Sequence, residues 1–235
     1  MEVNPHNSMA HGAHADEHAH GHSHDHHGHD HDHDHEDNFW SKYIFSTDHK
    51  MIAKQYLNVA IFMGFLAMFM SLIFRMQLAW PDAKLPFLQD VIGKWGKDGK
   101  LDPGFYLALV TIHGTIMVFF VLTAGLSGTF ANFLIPLQVG ARDMASPFLN
   151  MLSYWFFFLA SVIMLSSIFV ETGPFSGGWT AYPPLSALGD ASPGSKTGMD
   201  LWLISMAVFV VSSLLGGLNY ISTILNMLTK GMSMT

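Results

Sequence analysis

The sequence predicts an all-α, polytopic transmembrane helix bundle preceded by a disordered, His-rich N-terminal tail. Half of its 235 residues are apolar and only 12% are charged, which is about half the charged fraction of a soluble domain. Four long stretches contain no Asp, Glu, Lys or Arg, and residues 1–38 hold 13 of the 15 His. We therefore divide the chain into a tail, 1–38, and a membrane domain, 39–235.

The tail alternates His with Asp, Gly and Ala, and it lacks the apolar residues that a core requires. Neutral imidazole binds copper, nickel and zinc, and the interleaved carboxylates add oxygen donors. One hypothesis is that the tail captures or buffers a transition metal. The alternative is a solvated segment without a defined metal site. The candidate metal-binding residues are His22, His24, His26, His27, His29, His31, His33 and His35.

Each of the four uncharged stretches is long enough to cross a bilayer, which requires about 20 mostly apolar residues in a helix. The stretches are Gln55 to Phe74, Pro103 to Ala141, Met144 to Val170 and Leu201 to Thr229. Backbone polar groups in hydrocarbon must be satisfied within the segment. We therefore expect helical spans at about 55–75, 105–135, 148–170 and 201–228, with both chain ends on the same side of the membrane.

Composition also excludes several classes of function. The chain has no Cys, which excludes disulfides, thiolate nucleophiles and Cys-ligated metal clusters. Its 11 Lys and Arg are scattered along the chain, so we expect no nucleic-acid partner. Small residues recur inside the second and fourth stretches, which is typical of helices that pack closely in a lipid bilayer.

His113 lies deep in the second uncharged stretch. Ionisable side chains are costly inside a membrane and are candidates for function. Imidazole is a common axial ligand of haem iron, and the adjacent Gly114 leaves room for a bulky planar group. A proton relay and a hydrogen-bonded structural His are the alternatives.

Arg75 and Asp143 are charged residues at the edges of the uncharged stretches. Arg75 either extends to the membrane interface or binds the polar edge of a buried cofactor. Asp143 either pairs locally with Arg142 or caps a helix, or it collects protons at the mouth of the bundle. The spacing of these residues does not separate the alternatives.

At these residues the sequence resembles subunit I of the haem–copper terminal oxidases, most closely cytochrome c oxidase. The matching blocks occur in family order across residues 46–227. They include Ser46 to Lys50, Arg75, Thr111 to His113, Met117 to Phe120, Asn132 to Leu137, Gly140 to Pro147, Gly178 to Ser186 and Ser212 to Asn219. Jointly these blocks are highly specific to the family.

The resemblance implies a role for each matched residue. His113 is similar to one axial ligand of the low-spin haem, expected to be haem a, and Arg75 to the residue that hydrogen-bonds the haem periphery. Asp143 resembles the entrance of the D proton pathway. The positions that continue this pathway inward are Asn132, Asn150, Ser213 and Asn219.

The same resemblance implies partners and a location. The expected partners are the remaining part of subunit I, oxidase subunits II and III, cytochrome c and the lipid bilayer. The expected location is a bacterial inner (plasma) membrane, with the N-terminal tail on the cytoplasmic side.

The chain also departs from the family pattern, because it matches only the first four of roughly twelve spans. The second haem, copper B and the second axial His of the low-spin haem belong to later spans in this family. We therefore expect no oxygen-reducing catalytic residue in this chain. It would be a truncated sequence or one piece of a divided subunit.

The electron donor is predicted from four positions where quinol-oxidising relatives carry polar quinol-binding residues. Here those positions are Leu66, Met70, Phe105 and Ala108, all apolar. A quinol headgroup needs hydrogen-bond partners, so the pattern favours cytochrome c. The alternatives are a quinol oxidase, a metal-binding membrane protein and a catalytically silent fragment.

Overall fold

The computed structural model describes residues 39–82, 84, 96–192 and 194–232. The predicted tail, with its candidate metal-binding His, lies outside the described residues. Within the described part, four helices are long and apolar enough to cross a membrane. They are α1, His49–Ala79; α2, Pro103–Val139; α3, Pro147–Ser166; and α4, Thr197–Asn226. The structure confirms the predicted helical membrane bundle.

Helix α1 extends beyond the predicted span at both ends. It begins at His49 and runs past Arg75 to Ala79, so Arg75 does not close the helix as the sequence suggested. The helix stops at Trp80 because the following residue is Pro81, which disfavours helical backbone at the residue before it. A short π-helical turn, Trp40–Ile44, precedes α1. The Gln55 amide binds its carbonyls at Tyr43 and Ile44, at 2.6 and 3.0 Å.

Helix α2 is continuous from Pro103 to Val139, although its central segment, Ile116–Leu126, is π-helical. Asp102 caps its start by accepting hydrogen bonds from the next backbone N–H groups. Its end is the left-handed Gly140, beyond the point where we expected the connection to start. The central segment is almost entirely hydrophobic, so no sequence period distinguishes α from π geometry there.

The connections between the helices are partly ordered by turns. Strands β1, Gly96–Lys97, and β2, Lys100–Leu101, pair in an antiparallel hairpin before α2. The turn residues Asp98 and Gly99 both have positive φ, as a tight hairpin turn requires. A turn of 3-10 helix, Ser167–Phe169, extends α3. The loop that follows folds back onto α2, where Gly178 N donates to Thr111 Oγ1 at 3.0 Å.

Close packing joins α1 to α2. A Cβ at Gly125 would lie 2.5 Å from the Ala60 Cβ, and a Cβ at Gly128 would lie 2.6 Å from the Tyr56 ring. These positions confirm that small residues of the second span permit close approach. Between α3 and α4, the hydroxyls of Ser205 and Ser212 donate to α3 carbonyls at 2.7 and 2.6 Å.

Candidate functional site

His113 is half-buried on α2 and faces α1. Its Nδ1 lies 2.8 Å from the carbonyl oxygen of Ala67. A carbonyl only accepts hydrogen bonds, so Nδ1 carries the proton and donates it to Ala67. In neutral imidazole, Nε2 then keeps its lone pair, which is the arrangement found in metal-bound histidines.

The surroundings of His113 are mostly aromatic. The Phe74 ring packs edge-on against the imidazole, with 5.5 Å between centroids. Trp179, from the loop after α3, has its Cδ1 atom 3.8 Å from the place a Cβ would take at Gly114. An imidazole held by its Nδ1 hydrogen bond beside apolar rings fits the ligand chemistry of a haem iron.

Arg75 is exposed on α1, two turns beyond Ala67 and next to Phe74 in the chain. Within the described ranges, its guanidinium has no ion-pair partner. Its five N–H donors suit a carboxylate or another oxygen-rich group.

Asp143 lies at the opposite end of the bundle, in the connection between α2 and α3. Its Oδ1 accepts a hydrogen bond from Met144 N at 2.7 Å and lies 3.1 Å from His49 Nδ1. His49 begins α1 and is buried, and Asp48 Oδ1 lies 3.5 Å from the same Nδ1. These three residues could together offer ligands to a metal ion.

This geometry separates the alternatives left open for Asp143. The carboxylate contacts His49 from another helix, and no ion pair joins it to Arg142 in the part of the chain that is described. The cap of α3 is Ser146, whose Oγ accepts from Leu149 N at 3.4 Å. Neither local role is seen in this part of the chain, and proton collection by Asp143 stays a prediction.

A row of buried polar side chains runs inward from the Asp143 end. We call these side chains the polar row. They are all buried and belong to Asn132, Asn150, Asn219, Tyr56, Ser153 and Ser212. Tyr56 Oη and Ser153 Oγ lie 3.0 Å apart, and Ser153 Oγ donates to the Asn150 carbonyl at 2.7 Å. The row has members on all four long helices of the bundle.

Several atoms of the polar row have no hydrogen-bond partner among the described residues. They are Asn132 Oδ1, Asn219 Nδ2, and both amide atoms of Asn150. Buried polar atoms are normally paired with protein or ordered water. These amides therefore point to bound water, and connected waters are what proton transfer through an apolar bundle needs.

Asn219 also holds the Asp143 loop in place. Its Oδ1 accepts from Ser146 N at 2.9 Å, and Thr223 Oγ1, one turn later, accepts from Ala145 N at 2.9 Å. The α2–α3 connection is thereby tied to α4.

Some of these residues were not predicted from the sequence. Tyr56, Ser153 and Ser212 were not among its candidates, whereas the predicted Ser213 is exposed. A signal was available, because Ser153 follows Asn150 by three residues and Ser212 precedes Asn219 by seven, which places each pair on one helix face. His49 had no such signal, because its partner lies on a distant segment.

Comparison with known proteins identifies the family of this chain. Residues 51–235 match the family model described as cytochrome c and quinol oxidase polypeptide I. The chain is 42% identical over 197 residues to the alternative cytochrome c oxidase subunit 1 of Bradyrhizobium diazoefficiens, covering 84% of this chain and 31% of that protein. It is 38% identical to the cytochrome c oxidase subunit 1 of Synechocystis sp., covering 83% and 31%.

A quinol-oxidising relative is similar to a comparable degree. The ubiquinol oxidase subunit 1 of Acetobacter aceti is 38% identical, covering 83% of this chain and 27% of that protein. The chain thus spans about a third or less of the length of these relatives. The resemblance found in the sequence is confirmed: this chain belongs to the haem–copper oxidase subunit I family.

Proposed function

We propose that the chain forms part of the catalytic subunit of a terminal respiratory oxidase. Such an enzyme transfers electrons from cytochrome c through haem to oxygen, produces water and couples the reaction to proton translocation. This chain would supply one axial ligand of the low-spin haem, His113, and the entrance of the D proton pathway, Asp143. The observation that carries the proposal is the 2.8 Å hydrogen bond from His113 Nδ1 to the Ala67 carbonyl.

That hydrogen bond has two consequences for ligation. It holds the imidazole plane against α1, and it increases the electron density on Nε2, which strengthens the nitrogen as a ligand. A haem bound there would supply reversible one-electron transfer at a potential set by its ligands and surroundings. Phe74 and Trp179 would exclude water from the ring, and Arg75 would bind a peripheral carboxylate.

The proton side of the proposal rests on the Asp143 end. The Asp143 side chain is 35% exposed while His49 is 3% exposed. The carboxylate can therefore exchange protons with water while the imidazole holds it in place. The unpaired amide atoms of Asn132, Asn150 and Asn219 would then hold the waters that carry protons inward. Ser213 would join this route from its exposed position.

The proposed donor is cytochrome c. Met70, Phe105 and Ala108, three of the positions where quinol-binding side chains would stand, are buried between α1 and α2. The Phe105 and Ala108 side chains offer no donor or acceptor to a quinol headgroup, and the Met70 thioether offers only a weak acceptor. Because relatives of both kinds are similar to this chain, purified oxidase should be assayed with each donor. Oxidation of quinol but not of reduced cytochrome c would overturn this choice.

The remaining parts of the enzyme follow from the family. The second haem, copper B and the second axial His would come from the rest of subunit I, and subunits II and III would complete the complex. We propose a bacterial inner membrane with the N-terminal tail on the cytoplasmic side. In support, Asp143 lies beside the start of α1 and near the end of α4. The proposed site of proton uptake would therefore lie on the same side of the membrane as the start of α1 and the end of α4.

The direct test replaces His113 with Ala in the complete oxidase. We expect loss of the low-spin haem absorption, because no other described residue offers an imidazole within the apolar part of a span. The other subunits should still assemble. The matched control is Trp179→Phe, which keeps an aromatic ring beside the site. An unchanged low-spin spectrum in the His113→Ala variant would refute the ligand assignment.

A further inference from the structure

Tyr220 lies on α4 immediately after Asn219, and it is half-buried. Its hydroxyl oxygen accepts a hydrogen bond from Asn132 Nδ2 at 3.2 Å, across the gap between α4 and α2. The same Nδ2 donates to the Gly128 carbonyl at 2.6 Å. Both protons of the Asn132 amide are therefore used.

This pair of bonds decides which way the Asn132 amide faces. With Nδ2 held by Gly128 and Tyr220, Oδ1 is left as a buried acceptor without a partner in the described chain. That acceptor is free for water. Tyr220 is the only one of the two partners that comes from another helix, so it couples the amide to the position of α4.

The hydroxyl of Tyr220 can also donate a hydrogen bond. It accepts from Asn132, and its own O–H proton has no acceptor among the residues that the structure describes. Tyr220 also lines a cavity of about 240 Å³ between α1, α2 and α4, together with Tyr56, Ser212 and Ser213. This volume is large enough for several waters.

We propose that Tyr220 is a positioning residue of the proton pathway, which orients the Asn132 amide and joins it to the hydroxyl-lined cavity beside Tyr56. The inference rests on the proposed function, because it assumes that protons pass Asn132. It adds a hydroxyl that neither the sequence pattern nor the pathway positions carried over from the family had included. Protons would then reach Ser212 and Ser213 through the cavity, past the Tyr220 hydroxyl.

The test is Tyr220→Phe in the complete oxidase, which removes one oxygen and keeps the ring. We expect the haem spectrum to stay unchanged and proton uptake during turnover to slow by roughly twofold to tenfold, the effect of one lost hydrogen bond. The solvent deuterium isotope effect should rise, because proton transfer becomes more rate-limiting. Tyr182→Phe is the matched control, since Tyr182 is exposed in the α3–α4 loop and does not line this cavity.

A double-variant experiment tests whether Tyr220 acts through Asn132. Adding Tyr220→Phe to Asn132→Ala should slow uptake by less than the single Tyr220→Phe change does. If Tyr220→Phe slows proton uptake by the same factor with and without Asn132→Ala, the positioning role is wrong. So would wild-type uptake in Tyr220→Phe when Asp143→Asn slows it. If Asp143→Asn has no effect either, the pathway itself is wrong, and the failure lies in the proposed function.

Discussion

His49 and Asp143 lie in direct contact although 94 residues separate them, with 3.1 Å between Nδ1 and Oδ1. The imidazole is buried at the start of α1, and the carboxylate reaches the surface between α2 and α3. A charged or hydrogen-bonded carboxylate held by a buried partner has a defined position and still exchanges protons with water. In the proposed function, this contact would hold Asp143 where it can collect protons.

Asp143→Asn should slow proton uptake and turnover roughly tenfold to a hundredfold, as expected for loss of an acid–base group. The amide keeps the size of the side chain and a hydrogen-bond acceptor, so haem content should not change. Flow-flash measurement of proton uptake with a pH indicator provides the rate. Asp190→Asn, which removes an exposed carboxylate paired with Lys196 in the α3–α4 loop, is the control. Normal uptake in Asp143→Asn would remove this residue from the pathway.

His49→Leu should slow proton uptake by roughly twofold to tenfold, because it removes the hydrogen bond that positions Asp143. His49→Gln should be less severe, since its amide can still donate to the carboxylate. The comparison requires equal haem content in the two variants. Equal and normal uptake in both would mean that the contact only stabilises the fold.

Gly128→Ala should destabilise the assembled complex by about 1–3 kcal/mol through overpacking. Its new Cβ would lie 2.6 to 2.9 Å from three carbons of the Tyr56 ring. Thermal loss of haem absorbance measures the change. Gly217→Ala is the matched control, because a Cβ there meets no described atom within 4 Å. Equal stability of both variants would show that α1 can move away from α2 at little cost.

Arg75→Leu should lower the midpoint potential of the low-spin haem, because a nearby positive charge favours the reduced form. A redox titration followed at the low-spin absorption band measures this shift. Arg142→Leu serves as the control, since Arg142 is exposed near the other end of the bundle. If the two variants have the same potential, Arg75 does not contact the haem.

The four spans were predictable because a membrane excludes charge along the whole length of a helix. Each uncharged stretch therefore marks its span, and the structure extends α1 by the flanking turns that contain Lys50, Lys54 and Arg75. The hydrogen bond of His113 was less predictable. Sequence indicated a costly imidazole in α2, but the donor–acceptor pair with Ala67 depends on how α1 packs against it.

The polar row also has some members that the sequence predicts and some contacts that only the structure reveals. The amides Asn132, Asn150 and Asn219 were found through family resemblance, and spacing along single helices could have added Ser153 and Ser212. Spacing could not reveal that Asn132 and Tyr220 meet, because they stand 88 residues apart on different helices.

By itself, the sequence determined the membrane-spanning character, the four spans of the described chain and the candidate residues for binding iron or moving protons. These properties depend on side-chain chemistry and on the length of apolar runs, which the order of residues specifies directly. Only the tertiary structure decided that His49 holds Asp143, that Ala67 orients His113 and that Tyr220 reaches Asn132. Each of these contacts joins segments that are far apart in the chain. It therefore forms only when helix packing has fixed the rotation of each helix about its axis and its position along the bundle.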